Sequence, residues 1–218
     1  MNPILKLWKK YSYIILLIFL VKGLFDFRIG LIAIICMLGP IIVSFFKGRF
    51  WCGNLCPRGS FYDNFIAKFC NKRKTPNFLR TIPFRIFITF LMLTFFTTNI
   101  IKNWGNLYRM GGIVYRLIVI TTIIGLSLSL FYNERSWCNF CPMGNLAALI
   151  SKIRNKKNKK TLLQIDANCI SCRLCEKNCP MGLSPYKYKN STIKHADCIQ
   201  CGRCILKCPK KSIHYMKD

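Results

Sequence analysis

Residues 48–61 read GRFWCGNLCPRGSF, and residues 134–146 read ERSWCNFCPMGNL. Both contain Arg-x-Trp-Cys, then an Asn, an apolar residue and Cys-Pro-x-Gly. The second has one residue fewer between its cysteines. Two apolar runs precede each stretch. A segment able to form an amphipathic helix with a basic end follows each, FYDNFIAKFCNKRK at 61–74 and NLAALISKIRNKKNKK at 145–160. The chain reads as one unit, two helices plus a cysteine dyad, used twice.

The apolar runs cover roughly 11–25, 29–46, 85–101 and 113–132. A membrane-spanning helix needs about 20 residues, range about 17–25. The second and fourth runs meet that length; the first and third rely on Lys22 and Arg85 snorkelling to the interface. The first run follows Lys6, Lys9 and Lys10 like a signal peptide. It has no small-residue cleavage site and a second run begins at once, so it reads as a retained anchor. Overall, 52% of the 218 residues are hydrophobic, yet Lys+Arg number 34 against 7 Asp+Glu. Apolar blocks separated by cationic loops suit a membrane protein; a nucleic-acid binder would share the charge without needing the apolar runs. Basic residues concentrate in the N-terminal tail, in 47–85 and in 133–160. The opposite side holds Lys22, Arg28, Lys102 and Arg109. Both termini and the long middle loop are therefore expected in the cytoplasm.

Two spans per unit make the repeats parallel, related by an axis along the membrane normal. That axis brings Cys52 and Cys56 to the depth of Cys138 and Cys141, as a four-thiolate site at the cytoplasmic border. Trp51 and Trp137 fall where indoles favour the interface. Three readings stay open there: a metal or redox site, a dithiol pair, and simple packing. For a metal, four thiolates suit iron–sulfur, Cu(I) or zinc. Cys36, mid-span, and Cys70 lack partners of this kind and read as packing residues.

The run Cys169-x2-Cys172-x2-Cys175-x3-Cys179-Pro180 recurs as Cys198-x2-Cys201-x2-Cys204-x3-Cys208-Pro209. This is the bacterial ferredoxin spacing, in which the fourth cysteine ligates the other cluster. Three closely spaced thiolates wrap one corner of a cubane, and the proline sends the fourth across a pseudo-twofold. One [4Fe–4S] cluster then takes Cys169, Cys172, Cys175 and Cys208, and the other Cys198, Cys201, Cys204 and Cys179. Zinc sites built from two spaced pairs do not explain two complete runs. The expected fold is a mainly α membrane protein, four transmembrane helices as two parallel repeats over 1–160. A small C-terminal α+β bacterial-type 2[4Fe–4S] ferredoxin domain follows over 161–218. The basic stretch SKIRNKKNKK at 151–160 would lie on anionic headgroups and hold the two parts close.

With these motifs in place, the chain resembles the membrane-bound ferredoxins of the NapH, NosR and CcoG type, most closely the short NapH-like members. The resemblance spans nearly the whole chain, although that family's second dyad is usually Cys-x3-Cys-Pro where this chain has Cys138-x2-Cys141-Pro142. It implies electron transfer in a bacterial or archaeal inner (cell) membrane, with a redox partner protein and a quinone as candidate partners and no nucleic acid. An electron-transfer subunit fits better than a self-contained enzyme. The alternatives are an accessory factor handling copper through the dyads, and an anchor that recruits a redox complex. The only histidines, His195 and His214, lie in the ferredoxin part, which excludes a bis-His haem within the spans. No Gly-rich dinucleotide fingerprint is present. Arg116, inside the fourth run, reads as a snorkelling residue at the outer interface.

Overall fold

The computed structural model describes residues 3–71, 73, 75–154 and 163–216. The expected boundary at 160/161 and the basic linker from residue 155 onward lie outside the described residues. Helices α1 (Pro3–Tyr11) and α2 (Tyr13–Phe25) lead into a 3-10 turn, Phe27–Leu31, and α3 (Ile32–Lys47). Two short helices follow, α4 (Phe50–Asn54) and α5 (Pro57–Asn64), then α6 (Ile82–Lys102), α7 (Leu107–Phe131) and α8 (Pro142–Arg154). The C-terminal part contains β1 (Leu163–Ile165), α9 (Leu174–Lys177), β2 (Ser191–Thr192), α10 (Arg203–Leu206) and β3 (Ile213–Tyr215). Its strands form one antiparallel sheet in the order β2-β1-β3.

Among the described residues, three stretches are long and apolar enough to cross a membrane: Phe27–Lys47, Ile82–Lys102 and Leu107–Phe131. The first expected span differs. Its helix α2 has 13 residues, about 20 Å at ~1.5 Å per residue, against a hydrocarbon core of about 30 Å. Asp26 ends it, leaving the helical region at φ −139° and accepting the Arg28 N–H at 2.9 Å to start the 3-10 turn. Ahead of it α1 is fastened to α5: the Lys9 carbonyl accepts from Ser60 Oγ at 2.7 Å and from Asn64 Nδ2 at 3.0 Å. The N-terminal basic segment is thus part of the packed structure. Elsewhere the long helices turn large apolar side chains outward, including Ile35, Ile86, Phe90 and Ile120, a surface that lipid covers and water does not tolerate in such quantity.

Small residues bring α7 onto the corner between α2 and α3. Gly30 faces the Gly111 carbonyl, and Gly111 faces the Phe27 carbonyl, so closely that a Cβ on either would collide with backbone. Tyr115 lies over Gly23 and its hydroxyl donates to the Leu20 carbonyl at 2.8 Å. Close approach through small residues is how helices associate in lipid, where burial of apolar surface gives little drive. Arg116 stays exposed on this corner, its guanidinium 5.9 Å from the Phe27 ring, in keeping with the snorkelling reading.

The C-terminal part has its own core of Leu163, Ile165, Ile193 and Ile213, closed by Cys175 and Cys204. It is held to the helical part by two ion-pair groups. Asp197 receives Arg49 at 2.9 Å and Arg85 at 2.7 Å. Asp63 receives Arg135 at 2.7 Å and Arg203 at 2.8 Å, and Arg203 also reaches Glu134. The neighbouring glycines of α7 offer a clean test of the packing account. Gly111→Ala should cost about 1–3 kcal/mol through overpacking. At Gly112 an added Cβ meets only the Phe27 side chain, 3.6 Å away, and Ala there should be neutral or slightly stabilising. Thermal unfolding in detergent, followed by circular dichroism, measures both.

Candidate metal centres

The repeated motif places its arginine, cysteine and glycine for one arrangement made twice. Arg49 Nη2 donates to the Cys138 carbonyl at 2.8 Å, and Arg135 Nη1 donates to the Cys52 carbonyl at 2.7 Å. Each arginine of one copy therefore clasps the first cysteine of the other. Gly144 and Gly59 make room, since a Cβ there would meet the Arg49 and Arg135 guanidiniums respectively. Both arginines are 1% exposed. The shared asparagine is also used alike: Asn54 Nδ2 donates to Phe50 O at 3.3 Å and Asn139 Nδ2 to Arg135 O at 3.3 Å, each four residues back. The one-residue deletion in the second copy leaves this pattern intact.

The four dyad cysteines lie within electrostatic reach of one another. Their environments differ. Burial pushes the Cys52 thiol up to about 12 against the pull of Arg49, and burial likewise raises Cys138, against Arg135, whose Nη1 stands 3.7 Å from its sulfur. Cys56 goes the other way, downward. A hydrogen bond from Cys36 is the leading cause, helped by the Gly59 N–H and the charges of Arg135 and Arg58, which together outweigh burial. Among Cys52, Cys56 and Cys138, Cys56 is the one whose surroundings favour the thiolate. Cys36, which the sequence reads as a packing residue, stands close enough to interact with the Cys56 sulfur and so borders this site. Pro40, buried one turn on in α3, has no N–H to give the Cys36 carbonyl. Cys70 is placed apart, with its thiol 3.3 Å from Glu134.

Trp137 is buried inside the fold, and Trp51 is half-buried. Trp51 packs on Gly39, and Trp137 is buried against Phe140 with the Arg58 guanidinium 4.9 Å above its ring. Both indole N–H groups are buried without a hydrogen-bond partner among the described residues. Leaving such a donor unsatisfied costs about 1–3 kcal/mol, so two at equivalent positions beside the dyads fit a site that holds a group with acceptor atoms.

In the C-terminal part the two cysteine runs fold alike. Ser171 and Gln200 both have φ +53°, Arg173 and Gly202 have φ +60° and +78°, and Gly182 and Lys211 have φ +59° and +50°. Left-handed residues at matched positions turn each loop so that its three leading cysteines face inward. Arg173 takes the position that suits glycine, with its guanidinium 5.4 Å from the Tyr186 ring. Two cavities result. One is lined by Cys169, Cys172, Cys175 and Cys208. The other is lined by Cys179, Cys198, Cys201 and Cys204. Each draws three thiols from one run and one from the other. Backbone N–H groups of Gln200, Arg203 and Ile205 hydrogen-bond the sulfurs of Cys198, Cys201 and Cys204. Burial raises the free thiol of Cys198 to about 12, so a metal must displace its proton on binding. Among the described residues, no three or more His, Cys, Asp or Glu groups close around a single ion. Four thiols around an open cavity are the fitting donor set for a cubane, whose irons and sulfides keep its ligands apart.

The two cavities are not equivalent in position. The loop of the second run lies on the dyad segment: Asn54 Nδ2 donates to Gln200 O at 3.1 Å, Gln200 Nε2 to Lys47 O at 2.7 Å, and Lys9 Nζ to Cys201 O at 2.8 Å. Gly53 faces the Ile199 carbonyl so closely that no Cβ fits between them. The acids that fix this contact, Asp63, Glu134 and Asp197, escaped the sequence reading. Their rarity was the available signal, since they are three of only seven acidic residues. Removing the partner of a buried charge costs about 3–5 kcal/mol, so Arg135→Ala should destabilise by about that amount. Arg135→Ala with Asp63→Asn should recover part of it, as denaturant titration in detergent measures.

The comparisons with known proteins agree with this layout. A family model described as a 4Fe-4S binding domain matches twice, over 29–76 and 115–161, one match on each dyad. A 4Fe-4S dicluster domain matches 168–213. An uncharacterized protein of Methanocaldococcus jannaschii is 26% identical over 190 residues, 80% of this chain and 75% of that protein. The ferredoxin-type protein NapH of Haemophilus influenzae is 25% identical over 196 residues, 78% of this chain and 64% of its own. The putative electron transport protein YccM of Escherichia coli is 25% identical over 207 residues, 83% and 54% of the two chains. No solved structure matches significantly. The family matches assign two [4Fe–4S] clusters to this chain, and over most of its length it is similar to NapH-like membrane-bound ferredoxins.

Proposed function

We propose that this chain is an integral membrane electron-transfer protein that relays electrons between a cytoplasmic partner or the quinone pool and a membrane redox partner. The observation that carries the reading is the seating of the second cysteine loop directly on the dyad segment, through Gly53, Asn54 and Lys47. The helical part is 1–160 and the ferredoxin part 161–218. One cluster is held by Cys169, Cys172, Cys175 and Cys208, and the other by Cys179, Cys198, Cys201 and Cys204. Bound there, such clusters take up and release single electrons. The chain's own residues fix the distances. Arg49 and Arg85 hold Asp197, next to Cys198, and Arg203, next to Cys204, is held by Asp63 and Glu134.

Four membrane-spanning segments in two parallel repeats, the first of them residues 11–25, leave both termini and the dyads on the cytoplasmic side. The asymmetry of basic residues supports this orientation. The matched clasps of Arg49 and Arg135 support the pseudo-twofold. Cys52, Cys56, Cys138 and Cys141 form a third redox centre at the border, iron–sulfur or copper in nature. The closeness of Cys36 to that sulfur-rich site favours, as a second reading, an accessory role in which copper is handled there.

Two measurements test the proposal. Metal analysis of anaerobically purified protein should give about eight irons per chain from the two cubanes, with any border metal additional to these. Replacing the four dyad cysteines with serine should abolish electron transfer to a membrane acceptor while the electron paramagnetic resonance of the ferredoxin clusters persists. Unchanged transfer in that variant would contradict the relay role.

A further inference from the structure

The two ferredoxin loops have the same backbone but opposite surroundings. Ile170 and Ile199 each follow the first cysteine of a run. Ile199 is 2% exposed, covered by the dyad segment, whereas Ile170 is 58% exposed. Leu174, on the rim of the first cavity with Ile170, is also exposed. Cys172 is the one exposed cysteine among the described residues. The first cavity therefore opens on the side of the ferredoxin part turned away from the helices, with an apolar rim.

The charge around that rim is net positive. Arg173, Lys210 and Lys211 are exposed beside it, and Lys207 precedes Cys208. The acidic residues of the C-terminal part do not cancel them. Asp197 is engaged by Arg49 and Arg85 at the other cavity; Glu176, accepting from Ser184 at 2.8 Å, and Asp166, 3.4 Å from His214, offset the rim cations only in part, so its balance stays positive.

We propose that this rim, Ile170 and Leu174 flanked by Arg173, Lys210 and Lys211, is the docking site of an acidic soluble one-electron redox protein. The proposal rests on the electron-transfer reading above and names the partner of its exposed cluster. An apolar centre ringed by cations suits a transient complex: the charges steer encounter and the isoleucine excludes water at contact. Lipid headgroups would also attract cations, but the second loop, not the first, is the one that meets the membrane part.

The test uses the full-length protein in neutral-lipid nanodiscs, with both clusters verified by iron content and absorbance. The probe is an acidic flavodoxin, and binding is read as fluorescence anisotropy across a salt series. Wild type should bind, with affinity falling as salt rises. Lys210→Glu with Lys211→Glu should weaken binding roughly tenfold or more, as reversal of charges in an interface does. Ile170→Ser should weaken it less and without changing the salt slope. Lys6→Glu with Lys68→Glu, an equal charge change at exposed lysines of the helical part, should leave binding within about twofold. Equal weakening by both charge reversals would overturn the proposal in favour of general attraction to a basic surface. Absence of wild-type binding would overturn it too. So would loss of binding to anionic vesicles, rather than to flavodoxin, in the rim variant, since that would assign the cations to lipid. A shortfall in iron would instead count against the cluster assignment itself, which keeps the two failures apart.

Discussion

Two guanidinium groups, Arg49 and Arg135, are carried into a region that water does not reach, and the helix ends are organised around keeping them paired. Each needs a carboxylate and a carbonyl. Arg49 takes Asp197 and Cys138 O; Arg135 takes Asp63 and Cys52 O. Because the carbonyls belong to the opposite copy of the motif, satisfying both arginines locks the two copies face to face. Because Asp197 belongs to the ferredoxin part and Asp63 also binds Arg203, the same pairs fix that part in place. A buried charge left without its partner is costly, so the arrangement is held as a unit rather than contact by contact. The dyad thiols and the second cavity are positioned as a consequence.

The ferredoxin part shows what a duplicated module gains by being asymmetric. Its halves share spacing and backbone conformation, down to the left-handed residues at matched positions. One half is used inward, its loop pressed on Gly53 and Asn54. The other is left outward, with Ile170 and Cys172 at the surface. Two centres in a small module then face two different environments, as a relay between soluble and membrane partners requires.

Much of this was legible in the residues because the chemistry is local. Cysteine spacing specifies the loops, apolar runs of sufficient length specify α3 and α7, and the shorter third run extends at both ends into the 21-residue α6. The first run was less secure: its 13-residue helix ends at Asp26, where an Asx-type turn competes with the helix, and composition alone does not show that. The tryptophans of the motif read as interfacial anchors because indole favours that depth; only packing reveals that Trp137 is buried against Phe140 and that Trp51 is half-buried over Gly39. Cys36 could not be found from spacing, since a residue sixteen positions before Cys52 comes close to the dyads only through the fold. Asp63, Glu134 and Asp197 were visible only as rare anions in a cationic chain. Their partners are set by tertiary contacts, such as Arg49 with Asp197, that no local pattern encodes.

The central claim is that the second cysteine loop is seated on the dyad segment while its counterpart in the first run is exposed at Ile170 and Cys172 among the described residues. Amide hydrogen–deuterium exchange on the cluster-loaded protein in nanodiscs tests it most directly, because the two loops are internal controls for each other. The account predicts far slower exchange at Ile199 and Gln200 than at Ile170 and Ser171, with the difference abolished by Asp197→Asn combined with Asp63→Asn. Equal exchange at the two loops in the unaltered protein would contradict it.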